Sequence, residues 1–194
     1  MRSINFHEEF VGELTALRLL TLEDCTTEYV AWLNDPVVSQ YLETRYATQT
    51  LASVRSFVQS MVESPDSYLF AIVAKEGRQH VGNLKVGPIQ AQHSYADVSY
   101  FIGEKSVWGR GLASDAIRCS IHIGFERLGL HRLQAGLYER NLASGRALEK
   151  AGFTYEGRLR AQLLGPEGWE DHLWYGVLRE EWHRQHETGE GKAI

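Results

Sequence analysis

The sequence predicts an α/β (α+β) domain in which helices flank one mixed, mostly antiparallel sheet. Three observations predict it. Apolar residues recur at helical spacing in several blocks, most clearly over 51–62 and 112–128. Between them stand short β-prone runs bounded by Gly, Pro, Asp and Ser. The order is helices, a three-stranded meander, helix, strand, helix and a closing hairpin, which suits one sheet and one core.

Residues 1–14 read as a loose arm, 15–182 as the domain, and 183–194 as a polar tail. Leu17 to Leu22 reads as the first strand. A helix starts near Asp24, with Tyr29, Val30, Trp32 and Leu33 as its apolar face. Asp35-Pro36 caps a second helix reaching about Leu42, since Asp accepts first-turn amides and proline fits the first turn. Leu51, Val54, Phe57, Val58, Met61 and Val62 mark a third helix. Tyr68 to Ala74, Gln79 to Ile89 and Tyr95 to Ile102 read as a meander, turning at Glu76-Gly77-Arg78. A long helix follows Gly111 and ends at Gly129, a residue suited to the position just past a helix. Leu133 to Leu137 alternates as a strand, a short helix runs from Leu142 to Gly152, and Phe153 to Leu178 forms a hairpin about Gly165 to Gly168. From Arg179 the chain is charged and expected to fray.

Composition narrows the function. Of 194 residues, 43% are hydrophobic and 23% charged, and the formal net charge of −5 speaks against a nucleic-acid binder. No run approaches the ~18 apolar residues that span a bilayer. Cys25 and Cys119 are far apart and read as small buried side chains, which favours a reducing cytoplasm. His183 and His186 lie beside Glu180 and Glu187, where a polar tail explains them better than a metal site, so no metal is expected.

The stretch Ser106-Val-Trp-Gly-Arg-Gly-Leu-Ala-Ser114 carries the most chemistry. Gly109 and Gly111 open an amphipathic helix directly after a strand. Bare amides and the positive helix end there suit a phosphate or diphosphate. No Gly-Lys-Ser/Thr follows, and the third glycine of the dinucleotide fingerprint is absent.

With Ala96-Asp97-Val98-Ser99-Tyr100-Phe101-Ile102 before it, and with Asn141-x-x-Ser144 and Leu148-Glu149-Lys150-x-Gly152-Phe153 after it, this segment resembles the GNAT superfamily of acetyltransferases. Glu156-Gly157-Arg158-Leu159-Arg160 and Trp169-x-Asp171-x-x-x-Tyr175 resemble its RimJ/RimL-like branch. The likeness covers roughly residues 15–182. One departure is Ser106, where the family often has Gln or Arg.

The resemblance implies the GNAT fold with splayed central strands, and acetyl-CoA as cosubstrate. The diphosphate would sit on the amides of Trp108, Gly109, Arg110, Gly111, Leu112, Ala113 and Ser114, and the pantetheine arm along Tyr100, Phe101 and Ile102. An amide near Phe101 or Ile102 would polarise the thioester. Arg110 is either a phosphate partner or a solvated charge. Asn141 is either a cofactor contact or a helix cap.

For chemistry, the resemblance implies Asp97 as a base acting through water, and Ser144 as the acid for the leaving thiol or as a cofactor contact. Structural alternatives remain for both: a strand carboxylate and a cap. Tyr138 is a thiolate donor or a packed tyrosine. A carboxylate proposed for RimL-type enzymes falls on Leu163 here. Trp32, Glu43, Arg45 and Tyr46 lie in the variable region that walls the acceptor cleft in this superfamily. The expected acceptor is an amine, foremost a protein N-terminal α-amine, with an amino sugar, polyamine or aminoglycoside next, and a non-catalytic acyl-CoA-binding domain as the rival. Neither nucleic acid nor membrane is an expected partner; a homodimer is compatible with the resemblance.

Overall fold

The computed structural model describes residues 4–5 and 7–187, with side chains described as far as 184. Eight strands form one sheet: β1 (Glu9–Val11), β2 (Thr15–Leu19), β3 (Tyr68–Ala74), β4 (Gln79–Gln90), β5 (Tyr95–Ile102), β6 (Arg132–Tyr138), β7 (Thr154–Gly165) and β8 (Gly168–Leu178). Their order is β1-β2-β3-β4-β5-β6-β8-β7. Every pairing is antiparallel except β5 with β6, which run parallel. The mixed, mostly antiparallel sheet expected from the sequence is therefore present.

Helices cover both faces. On one lie α4 (Leu112–His122) and α5 (Leu142–Ala151), and on the other α1 (Thr27–Asn34) and α3 (Leu51–Val62). Strand alternation feeds two cores. Leu84, Val86, Val98, Leu133 and Ala135 pack toward α4 and α5 with Ala116, Ile117 and Leu148. Leu69, Ala71 and Val73 pack toward α1 and α3 with Tyr29, Leu33, Val54 and Val58. Strand β3 reads as a continuous apolar run because both of its faces are buried.

Local chemistry sets several element ends. Asp35 Oδ1 accepts from Val37 N at 2.8 Å, and Pro36 occupies the first turn of the four-residue α2 (Pro36–Ser39). Thr50 caps α3 through Ser53 N at 3.1 Å. Gly152 takes φ 107 and closes α5.

The structure corrects four expectations. Residues 9–11 are not part of a loose arm: they form edge strand β1 against β2, because Phe10 and Ile4 are buried in the core. The first helix starts at Thr27, since Asp24 is held in a 3-10 turn by Arg18 at 2.6 Å. The helix after Asp35 stops at Ser39 rather than near Leu42, and residues 43–46 form a separate 3-10 turn. The chain from Arg179 does not fray at once. It forms α6 (Arg179–Glu187), anchored by Trp182 in the core and by Arg179 N on His131 O at 3.0 Å. Of the expected polar tail, residues 188–194 lie outside the described residues.

Candidate active site

Strands β5 and β6 share only three paired positions, Tyr95–Asp97 against Arg132–Gln134. Beyond Asp97 they part. A cavity of about 510 Å³ fills the gap and passes through the sheet. From the α4/α5 face it is lined by Val98, Tyr100, Leu137, Asn141, Ser144 and Leu148. From the α1/α3 face it is lined by Asn83, Lys85, Ser99, Phe101, Tyr138 and His172, under Tyr29, Leu33, Leu42, Glu43 and Phe57.

The loop before α4 follows directly on β5 and leaves a turn that could hold an anion. Gly109 and Gly111 adopt φ 75 and φ 87, where a side chain is strained. A Cβ on Gly109 would meet nothing within 4 Å, so the turn is an open cradle. No side chain caps the helix, and its first backbone bond runs from Asp115 N to Gly111 O at 3.1 Å. The amides of Leu112, Ala113 and Ser114 precede that bond and face outward at the positive helix end.

Asp115 locks the cradle to the sheet. It is 1% exposed, and its carboxylate accepts from the amides of Glu13, Leu14 and Thr15 at 3.0, 2.9 and 2.8 Å and from Thr15 Oγ1 at 2.7 Å. Gly12 is required beside it, because a Cβ there would collide with Asp115 Oδ2.

Two expected cofactor contacts are otherwise engaged. Arg110 pairs with the exposed carboxylate of Glu76. The Trp108 amide donates to Lys105 O at 3.1 Å, and its indole N–H donates to Ile102 O at 2.9 Å. The Phe101 carbonyl lies against Gly82 on the β4 side, so alternation turns the amides of Tyr100 and Ile102 toward the gap. Of the pair expected near the thioester, Ile102 is the one so placed.

Ser144 lies at the cavity, where its Oγ is 2.7 Å from the Tyr100 hydroxyl. Asn141 Oδ1 accepts from Ser144 N at 3.3 Å and caps α5. Burial pushes the Tyr100 hydroxyl well above its ordinary pKa, so it stays protonated and available to donate.

On the α1/α3 face the structure gathers some expected residues and not others. Tyr138 donates to Glu43 Oε1 at 2.6 Å and accepts from Arg45 at 2.9 Å. Burial and the Glu43 carboxylate push Tyr138 up to about 12. Arg45 also reaches Leu164 O at 2.7 Å, tying this turn to the closing hairpin, while Tyr46 stays on the surface. Trp32 does not line the cavity. Its ring packs on His80 and fills the space left by Gly103. Asp97 lies on this face at the last paired position and accepts from Gln134 Nε2 at 2.8 Å; it too is absent from the lining.

His172 was not singled out by the sequence. It sits opposite Tyr138 in the β6–β8 register and lines the cavity. Its Nδ1 is 2.7 Å from Gln162 Oε1, an acceptor, which leaves Nε2 with a free lone pair. That nitrogen lies over Gly136, where a Cβ would collide with it. Burial lowers the His172 pKa below its ordinary value, with Glu43 opposing, so the ring is neutral at pH 7. The signal for His172 is its pairing across strands, which no local motif displays.

The model of the acetyltransferase (GNAT) domain matches residues 15–154. The chain belongs to the GNAT family. It is 34% identical over 121 residues to the probable N-acetyltransferase YjcK of Bacillus subtilis, a stretch covering 62% of this chain and 66%, just under two thirds, of that protein. It is 31% identical over 86 residues to the ribosomal protein uS5-alanine N-acetyltransferase of Escherichia coli, covering 44% and 43% of the two chains. A crystal structure of spermidine N-acetyltransferase from Vibrio cholerae, in complex with CoA and spermine, superposes with a TM-score of 0.78 at 17% identity, covering 88% of this chain and 98% of that one. GNAT acetyltransferases use acetyl-CoA, and the open cradle at Gly109–Ser114 fits a diphosphate.

Proposed function

We propose that this GNAT protein transfers the acetyl group of acetyl-CoA to a primary amine, foremost the α-amine of a polypeptide N-terminus. The observation that carries the reading is the cavity through the sheet. It opens on the α4/α5 face beside Tyr100 and Ser144, on the strand that leads into the Gly109–Ser114 turn, and runs to a chamber with titratable groups on the other face.

In this reading the amides from Gly109 to Ser114 hold the diphosphate, and the Ile102 amide donates to the thioester carbonyl. A donor so placed is worth roughly 3 kcal/mol of barrier. The Glu43 carboxylate draws the ammonium form of the acceptor to the chamber. His172 Nε2 takes its proton and frees the nucleophilic lone pair. An α-amine, with a pKa of about 7.7 to 8.0, suits a weak neutral base of this kind. The Ser144–Tyr100 hydroxyl pair hydrogen-bonds the departing thiolate, which takes up the second proton that the nitrogen sheds as the amide forms, while His172 passes the first to solvent. Asp97, bound to Gln134 at the root of the splay, serves in this reading to position the strands rather than as the base. The partial likeness to a ribosomal-protein alanine acetyltransferase supports the polypeptide acceptor.

The test is thiol release from acetyl-CoA with a panel of N-terminal peptides, amino sugars and polyamines. Peptides giving the highest kcat/KM is the expected result. Release with polyamines or amino sugars alone would reassign the acceptor, and acetyl-CoA binding without release for any amine would leave a binding domain only.

A further inference from the structure

The chamber on the α1/α3 face contains polar atoms that the fold leaves unmatched. Asn83 is 3% exposed and lines the cavity, and its Nδ2 makes no well-formed hydrogen bond among the described residues, although the Tyr29 hydroxyl interacts with it. Thr44 Oγ1 lines the same cavity and is also buried without a partner. A buried polar atom left unmatched is costly, so such groups mark strain or a ligand.

The orientation of Asn83 is fixed by its neighbour. His80 Nε2 lies 2.9 Å from Gly82 O and 2.7 Å from the Asn83 amide. A carbonyl oxygen only accepts, so Nε2 carries the proton, and the amide atom beside it must be the oxygen. The Asn83 nitrogen is thereby turned away from His80. The Tyr29 hydroxyl, kept protonated by burial, stands beside Asn83. Lys85, two residues along β4 and on the same face, also lines the cavity. It forms no ion pair among the described residues. Donors therefore collect on one wall, while Leu33, Val54, Phe57 and Leu69 make the rest apolar.

We propose that Asn83, with Tyr29 and Lys85, forms a subsite for a carbonyl oxygen of the acceptor, so that the preferred amine carries a carboxamide or carboxylate beside an apolar side chain. This rests on the acetyltransferase reading and narrows its substrate class: a polyamine offers no such oxygen, whereas an amino acid or a peptide N-terminus does. A site that hydrogen-bonds a substrate group rejects the analogue lacking it, because its own donors are then stranded.

The test compares phenylalaninamide, phenylalanine and phenethylamine as acceptors at saturating acetyl-CoA. The readout is the ratio of kcat/KM for each carbonyl-bearing amine to that for phenethylamine. In wild type one of the two ratios should exceed tenfold. Asn83→Leu should reduce it at least tenfold, and so should Asn83→Asp, which keeps the size and the acceptor for His80 but loses the donor. Amine basicity differs among the probes but is common to wild type and variants, so the change in ratio isolates the subsite. A ratio for phenylalanine that Lys85→Gln abolishes identifies a carboxylate; a ratio for the amide that survives Lys85→Gln identifies a peptide carbonyl. The thermal shift produced by acetyl-CoA confirms that each variant is folded. Equal use of all three probes by wild type, or a ratio unchanged in folded Asn83 variants, overturns the subsite while leaving acetyl transfer intact. Acetyl-CoA binding with no thiol release for any amine overturns acetyl transfer, and the subsite with it.

Discussion

The α4/α5 face offers a ligand the main chain of one short stretch, Gly109 to Ser114, whereas the α1/α3 face offers side chains drawn from Tyr29 to His172. Main-chain amides recognise charge and shape shared by every molecule of one cosubstrate. Side chains from separate elements can be exchanged one at a time to suit different acceptors. The sheet keeps the two apart except at the gap between β5 and β6.

The difference can be broken from either side. The largest effect is expected for Asp115→Ala. It strands the buried amide and hydroxyl of Thr15 and the part-buried amides of Glu13 and Leu14, costs about 3–5 kcal/mol and lowers Tm by roughly 6–15 °C, as differential scanning calorimetry would show. Next comes Gly109→Val. A β-branched residue at φ 75 costs about 1–3 kcal/mol, so acetyl-CoA affinity should fall about 10- to 100-fold by titration calorimetry.

Acting on the other face, Gly136→Ala pushes His172 off its seat. It should lower kcat/KM for the amine about tenfold with acetyl-CoA affinity unchanged. The pH profile sharpens the same point. Burial favours the neutral ring, so protonation of His172 switches the base off as pH falls through a value below the ordinary 6.5. That step should add to the limb caused by the amine itself and vanish in His172→Gln. The smallest effect is expected for Glu76→Ala. It releases Arg110 from an exposed ion pair, and acetyl-CoA affinity should change by no more than about threefold.

The same division explains what the sequence disclosed. The cradle was legible because its signal is contiguous: Gly-x-Gly, then an amphipathic helix. The meander and both glycine helix ends were legible for the same reason. The α1/α3 chamber was not. Glu43 was singled out, but its partner Tyr138 lies 95 positions away, and His172 reaches the cavity only because β8 inserts between β6 and β7. Asp97 looked like a base by its place on the strand, yet its partner Gln134 belongs to β6, and spacing along one strand cannot reveal that. Phe10 was lost in a charged flank, although one buried aromatic is enough to fix β1.

Only three paired positions join β5 to β6 within the sheet. The strands thus part like the arms of a clothes-peg, from Asp97–Gln134 outward to Tyr100 and Tyr138. A guest wedged between the jaws supplies the cross-bracing the bare sheet omits, so grip and stiffness should arrive together.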